Sequence, residues 1–157
     1  MKNITTIVWF RNDLRLEDNP ALIAACKSSR EVLPVYIHSD EEESPWSLGG
    51  ATRWWLHQSL KSLDQDLKKQ NSKLLIQKGP SFKILSNLIK STSAKAVYWN
   101  RRYEPYIIKR DTKIKKDLTG QGIDAQSFNA SLLFEPWTVK NNQGNPISHT
   151  TLRHLFT

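Results

Sequence analysis

A chain of 157 residues, 38% hydrophobic and 24% charged, has the size of one ordinary domain and can bury a real core. No run of about 18 apolar residues is present to span a membrane, the opening residues do not read as a secretory signal, and a lone cysteine cannot form an internal disulfide, so a cytoplasmic setting is expected. The formal charge of +8 suits a polyanionic partner, yet the cations are spread over 61–73, 90–95, 101–102 and 109–116, so solvated helix faces and a nucleic-acid or partner-facing patch both stay open.

In chain order, residues 4–10 read as a first strand, apolar almost throughout, as suits a central strand covered on both faces. A charged turn with Arg11, Asp13 and Arg15 follows. A helix is then expected over 20–28, capped by Asp18 or Asn19, with Pro20 in its first turn and Cys26 as a small core residue. Residues 32–37 read as strand two and 40–44 as an acidic, exposed loop. In the helix expected over 51–70, Trp55, Leu56, Leu60, Leu63 and Leu67 recur at three- and four-residue spacing as one buried stripe, with Trp54 also a packing residue. Strand three at 74–77, a helix over 81–91, strand four at 96–99, a helix over 105–118 ended by Gly120 and Gly122, and strand five at 123–128 complete the alternation. It implies an α/β, Rossmann-like three-layer sandwich on a five-stranded parallel sheet, with one domain over 1–130. Residues 131–157 show no clear period and read as a linker.

Glycine cradles of the G-x-G-x-x-G or G-x-x-x-x-G-K-[ST] type are absent, which argues against a dehydrogenase or a P-loop enzyme. His38, His57, His149 and His154 are scattered, so no metal site is expected, and no catalytic set can be assembled from local sequence. Ligands of open α/β sheets bind at the carboxyl ends of the strands. Arg11, after strand one, and Asn100 to Glu104, after strand four, fall at that edge and are expected to frame one pocket. Asp13 and Arg15 are expected to be structural and Arg11 to face the crevice. Glu104 either accepts a hydrogen bond from a ligand or steadies the helix start. Arg53 either holds an acidic ligand group or pairs with the acids at 40–43. Tyr36 and His38 end strand two and border the crevice or serve the fold. Trp99 is expected in the core.

The string Trp9-Phe10-Arg11-Asn12-Asp13-Leu14-Arg15, with Asp18-Asn19-Pro20-Ala21-Leu22 after it, resembles the opening of the DNA photolyase and cryptochrome family. Further matches fall in the same order: Leu33-Pro34-Val35-Tyr36-Ile37, Arg53-Trp54-Trp55-Leu56, Tyr98-Trp99-Asn100, Tyr103-Glu104-Pro105, Arg110-Asp111 and Asn142-Gln143-Gly144-Asn145-Pro146. The resemblance implies the α/β domain that carries a light-harvesting antenna chromophore: a folate, a deazaflavin or another flavin. It also implies a following helical domain whose FAD repairs pyrimidine dimers in DNA, a carbon–carbon lyase reaction. Residue by residue, it suggests Arg11, Tyr36, His38, Arg53, Asn100, Arg102 and Glu104 as the antenna neighbourhood. Folate-binding relatives carry Asn-Glu where Tyr106 and Ile107 stand, and deazaflavin-type relatives often an acid where Arg102 stands. The expectation is an N-terminal photolyase fragment, inactive in repair by itself for want of the FAD- and DNA-binding part. The alternatives are a cryptochrome signalling domain and a stand-alone nucleotide-binding or basic interaction module.

Overall fold

A computed structural model of the chain describes residues 4–29, 31–43, 49–135, 138 and 140. Five strands and four helices alternate: β1 (Thr5–Phe10), α1 (Pro20–Ser28), β2 (Glu31–His38), α2 (Gly50–Lys69), β3 (Leu75–Lys78), α3 (Ser81–Thr92), β4 (Ala96–Asn100), α4 (Pro105–Gly120) and β5 (Asp124–Phe128). All pairings are parallel, in the order β3-β2-β1-β4-β5. The chain winds outward from β1 through β2 to β3, returns through α3 to β4 beside β1, and continues to β5. The winding therefore reverses between β1 and β4.

Strand alternation sorts the core into two layers. Ile7, Trp9, Val35, Ile37, Val97 and Trp99 face one way, against Leu85 of α3 and Ile114 and Leu118 of α4. Val8, Phe10, Tyr36, Ala96 and Tyr98 face the other way, against Ala21 and Ala25 of α1 and Leu63 and Leu67 of α2. This is the expected three-layer sandwich, with β1 and β4 buried at every position from Thr6 to Phe10 and from Ala96 to Asn100. Pro34 sits within β2 without breaking the sheet, because β3 begins opposite Val35 and at Pro34 only β1 is a partner.

Asn19 caps α1, its Oδ1 accepting from the Leu22 N–H at 3.2 Å. Gly122, at φ +77°, makes the left-handed exit after α4 that favours glycine.

Three expectations differ from the structure. Trp55 is 66% exposed and Trp54 57%, so neither is a packing residue and the buried stripe of α2 starts at Leu56. The reason is length: α2 runs 20 residues, about 30 Å at 1.5 Å per residue, against a four-residue β3. Its first turns overhang the carboxyl edge of the sheet. Cys26 is exposed, since α1 seats itself through Ala21 and Ala25 and turns the next position about 100° away. The acidic segment forms a 3-10 turn, Asp40–Glu43, and Glu42 is tied into the fold by Ser81 and Arg110. Most of the expected linker, including residues 142–146, lies outside the described residues.

Candidate functional site

The tips of β1 and β4 lie side by side, Trp9 opposite Trp99. Their rings meet at 5.9 Å between centroids. Arg11, next after β1, is only 4% exposed. Its guanidinium binds the Asp111 carboxylate through Nη1 and donates to the Asn100 carbonyl through Nη2. Arg110 joins the same carboxylate at 2.8 Å, and both guanidiniums lie 5.2 Å from the centre of the Trp9 ring. Burial lowers the Arg11 pKa from its ordinary value and Asp111 opposes that; an arginine there stays charged.

Asn100 closes the opposite side. Its Oδ1 accepts from the Ala21 N–H at 3.1 Å, and its Nδ2 donates to Asn19 Oδ1 at 2.8 Å and to Asp13. Asp13 also accepts from the Arg11 backbone N–H at 2.8 Å. Arg15 donates to the carbonyls of Asp18 and Ala130. Asp13 and Arg15 therefore hold the turn, as expected from sequence. Arg11 does the same, contrary to the expectation that it faces a crevice. The charges of this polar turn are paired internally, with Arg11 Nε the one buried atom of the guanidinium without a partner among the described residues, because an unpaired charge there costs roughly several kcal/mol.

The remaining expected site residues divide between two flanks. On the β2 flank, His38 Nε2 and Arg53 Nη2 each lie 3.3 Å from Asp40, and Tyr36 is buried against the α1–α2 layer. The adjoining cavity, beside Lys78 and Pro80, is about 220 Å³. On the β4 flank, Arg102 donates to Glu104 at 2.8 Å. Burial alone would raise the Glu104 carboxyl, but the Arg102 hydrogen bond, its own backbone N–H and the charges of Arg102 and Arg11 outweigh it, so the pKa lies below the ordinary 4.5. Arg11 and Glu104 follow the adjacent parallel strands β1 and β4 and so lie at one edge of the sheet.

Beside that pair opens a cavity of about 580 Å³ between α4 and the ends of β4 and β5. This is within the range of about 300–1,000 Å³ of small-molecule sites. Trp99, Tyr103 and Ile108 give it an apolar wall, and Lys115 and Lys116 stand along it. Burial, then the bond to Glu135 at 3.1 Å, raises the Tyr103 phenol, which stays protonated at neutral pH. Of the seven expected site residues only Arg102 lines this cavity. Sequence reasoning missed Ile108, Thr112, Lys115 and Thr119. Their spacing of three and four places them on one face of α4, which is the signal that was there to be read. Among the described residues no cluster of His, Cys, Asp and Glu has the makings of a metal site.

Comparison with known proteins agrees with this architecture. The DNA photolyase family pattern matches residues 6–153. Cryptochrome-1 of Arabidopsis thaliana is 42% identical over 144 residues, 91% of this chain and 21% of its own length. The crystal structure of a class III photolyase from Agrobacterium tumefaciens superposes with a TM-score of 0.86 at 42% identity, over 94% of this chain and 30% of that one. An archaeal photolyase structure from Sulfolobus tokodaii, described as holding two FAD molecules and implying a novel light-harvesting cofactor, gives 0.75 at 32% identity, over 85% and 31%. The chain thus spans less than a third of each of these relatives. Fold, motif order and a family match across nearly the whole sequence agree: this chain belongs to the DNA photolyase family and corresponds to the α/β domain of photolyases and cryptochromes.

Proposed function

We propose that this domain holds the antenna chromophore of a photolyase or cryptochrome and that the chromophore lies in the α4–β4–β5 cavity. The observation that carries the reading is the size and lining of that cavity. A flat fused-ring molecule needs apolar walls and a slot of several hundred Å³, and Trp99, Tyr103 and Ile108 supply such walls within about 580 Å³. The cavity near His38 is less than half that volume. When bound, the group supplies blue and near-ultraviolet absorption. Arg102 contacts it, Glu104 holds Arg102 in place, and Arg11 and Asn100 fix the strand tips behind them. Tyr36, His38 and Arg53 serve the opposite flank.

The helical FAD-binding part of such a protein, with damaged DNA beyond it, is the proposed partner. In support, seven of the eight exposed large apolar side chains among the described residues sit at the carboxyl edge: Ile23, Trp54, Trp55, Ile108, Leu132, Leu133 and Phe134. An end face of that composition marks an interface. The cryptochrome and photolyase readings differ only in what that partner does with the excitation.

Reconstitution tests the site. The purified chain, incubated with a flavin, a deazaflavin or a methenylfolate, is expected to retain one of them through gel filtration. Ile108→Arg and Thr112→Trp, which fill the cavity from partly exposed helix positions, should abolish retention and leave the circular dichroism unchanged. Retention undiminished in both variants, or no retention by the wild type, overturns the proposed site.

A further inference from the structure

The charges lining the cavity do not cancel. Asp111 is neutralised twice, by Arg11 and by Arg110. Arg101 is bound to Glu135 and to the Ser127 carbonyl, and Arg102 to Glu104. Lys115 and Lys116 remain, adjacent on α4 and exposed, with no carboxylate at ion-pair distance among the described residues. Thr112 and Thr119 lie one helical turn to either side on the same wall; the Thr112 hydroxyl donates to the Ile108 carbonyl at 2.7 Å, which leaves Thr119 as the hydroxyl donor beside the lysines. The pocket thus has two chemically distinct ends. One, at Trp99, Tyr103 and Ile108, is aromatic and apolar. The other carries two ammonium groups with no carboxylate partner among the described residues, beside the Thr119 hydroxyl, a set suited to a phosphate or carboxylate group.

We infer that the cavity selects chromophores with an anionic tail, a flavin phosphate or a tail carboxylate, and that Lys115 and Lys116 are the residues that read the tail. This rests on the proposal that the cavity is the chromophore site, and it adds a discrimination: the same ring without its anion is a poor ligand. Exposed lysines are compatible with this role, since a charged tail reaches outward to the rim while the ring occupies the apolar end. Attraction at a partly open rim is screened by salt, so the preference should weaken as ionic strength rises.

Riboflavin and flavin mononucleotide share one ring system and differ in a phosphate, so they separate ring from tail. Titrated into the purified chain at low salt and followed by flavin fluorescence, the mononucleotide is expected to bind about tenfold tighter or more, the scale of one charge-assisted hydrogen bond. In Lys115→Gln/Lys116→Gln the two affinities should converge through loss of mononucleotide binding, with riboflavin unchanged. Both positions are exposed, so folding is not at stake, and Lys61→Gln on α2 serves as a charge-matched control that leaves the ratio intact. Equal affinities in the wild type, or a ratio that survives the double substitution, overturn the tail assignment and leave the cavity reading standing. If neither flavin binds, and Ile108→Arg changes nothing because there is nothing to lose, both fall together.

Discussion

The residue that best explains this edge of the sheet is Arg11. A guanidinium placed between the Asn100 carbonyl and the Asp111 carboxylate ties β1 to β4 and α4 at once, and with Arg110 it brackets the Trp9 ring. Removing Arg11 leaves Asp111 with Arg110 as its one guanidinium and takes the guanidinium donor from the buried Asn100 carbonyl. Arg11→Ala is expected to cost about 3 kcal/mol in denaturant unfolding. In a double-mutant cycle with Asp111→Ala the coupling should reach about 1.5 kcal/mol; a coupling near zero would show that the pair does not hold the strands together. Glu104 gives a pH signature. Because its folded pKa lies below the ordinary 4.5, its contribution is complete above that value and is lost as pH falls through the depressed one. Glu104→Gln should therefore be less stable than the wild type at neutral pH, with the gap closing in acid. A gap of the same size at every pH refutes the assignment.

At the scale of elements, the 3-10 turn Asp40–Glu43 is a fastener. α3 starts at Ser81 after Pro80, whose side chain cannot cap it, and Glu42, 39 residues before Ser81, supplies the cap. Its carboxylate accepts the Ser81 backbone N–H at 3.0 Å and the Ser81 hydroxyl, and meets Arg110 at 3.5 Å. A carboxylate at a helix N-terminus is favoured by the helix dipole as well as by the hydrogen bond. Glu42→Ala should cost about 1–2 kcal/mol, read as a fall in Tm. The circular dichroism should keep its native form, since the sheet does not depend on this contact. An unchanged Tm would mean that water caps α3 equally well. Sequence could not disclose this fastener: an acidic run between a strand and a glycine turn has the same appearance whether solvated or tucked beneath a helix.

For the molecule as a whole, charge and apolar surface are distributed differently. Exposed lysines are distributed over α2, α3 and α4, whereas seven of the eight exposed large apolar side chains among the described residues lie toward the carboxyl end. Side chains exposed at that end should be nearly free of cost to the fold. Trp54→Ser, Trp55→Ser and Phe134→Ser are each expected to change stability by no more than about 0.5 kcal/mol, against about 3–5 kcal/mol for Trp9→Ala or Trp99→Ala. Calorimetric scans of the five variants would check this, and a large loss at Trp54 or Trp55 would place them in the core after all. By itself the sequence determined the order of the elements and the parallel sheet, because alternating strand and helix periods leave one way to bury both faces of β1 and β4. It also determined the family, through ordered local strings such as Trp9 to Arg15 and Tyr98 to Asn100. Only the tertiary structure decided which charged residues are paired with each other and which stay exposed without a carboxylate partner among the described residues. Arg11 and Lys115 are equally cationic on paper. What separates them is whether a carboxylate 100 positions away in the chain comes to rest within hydrogen-bonding distance, as Asp111 does for Arg11.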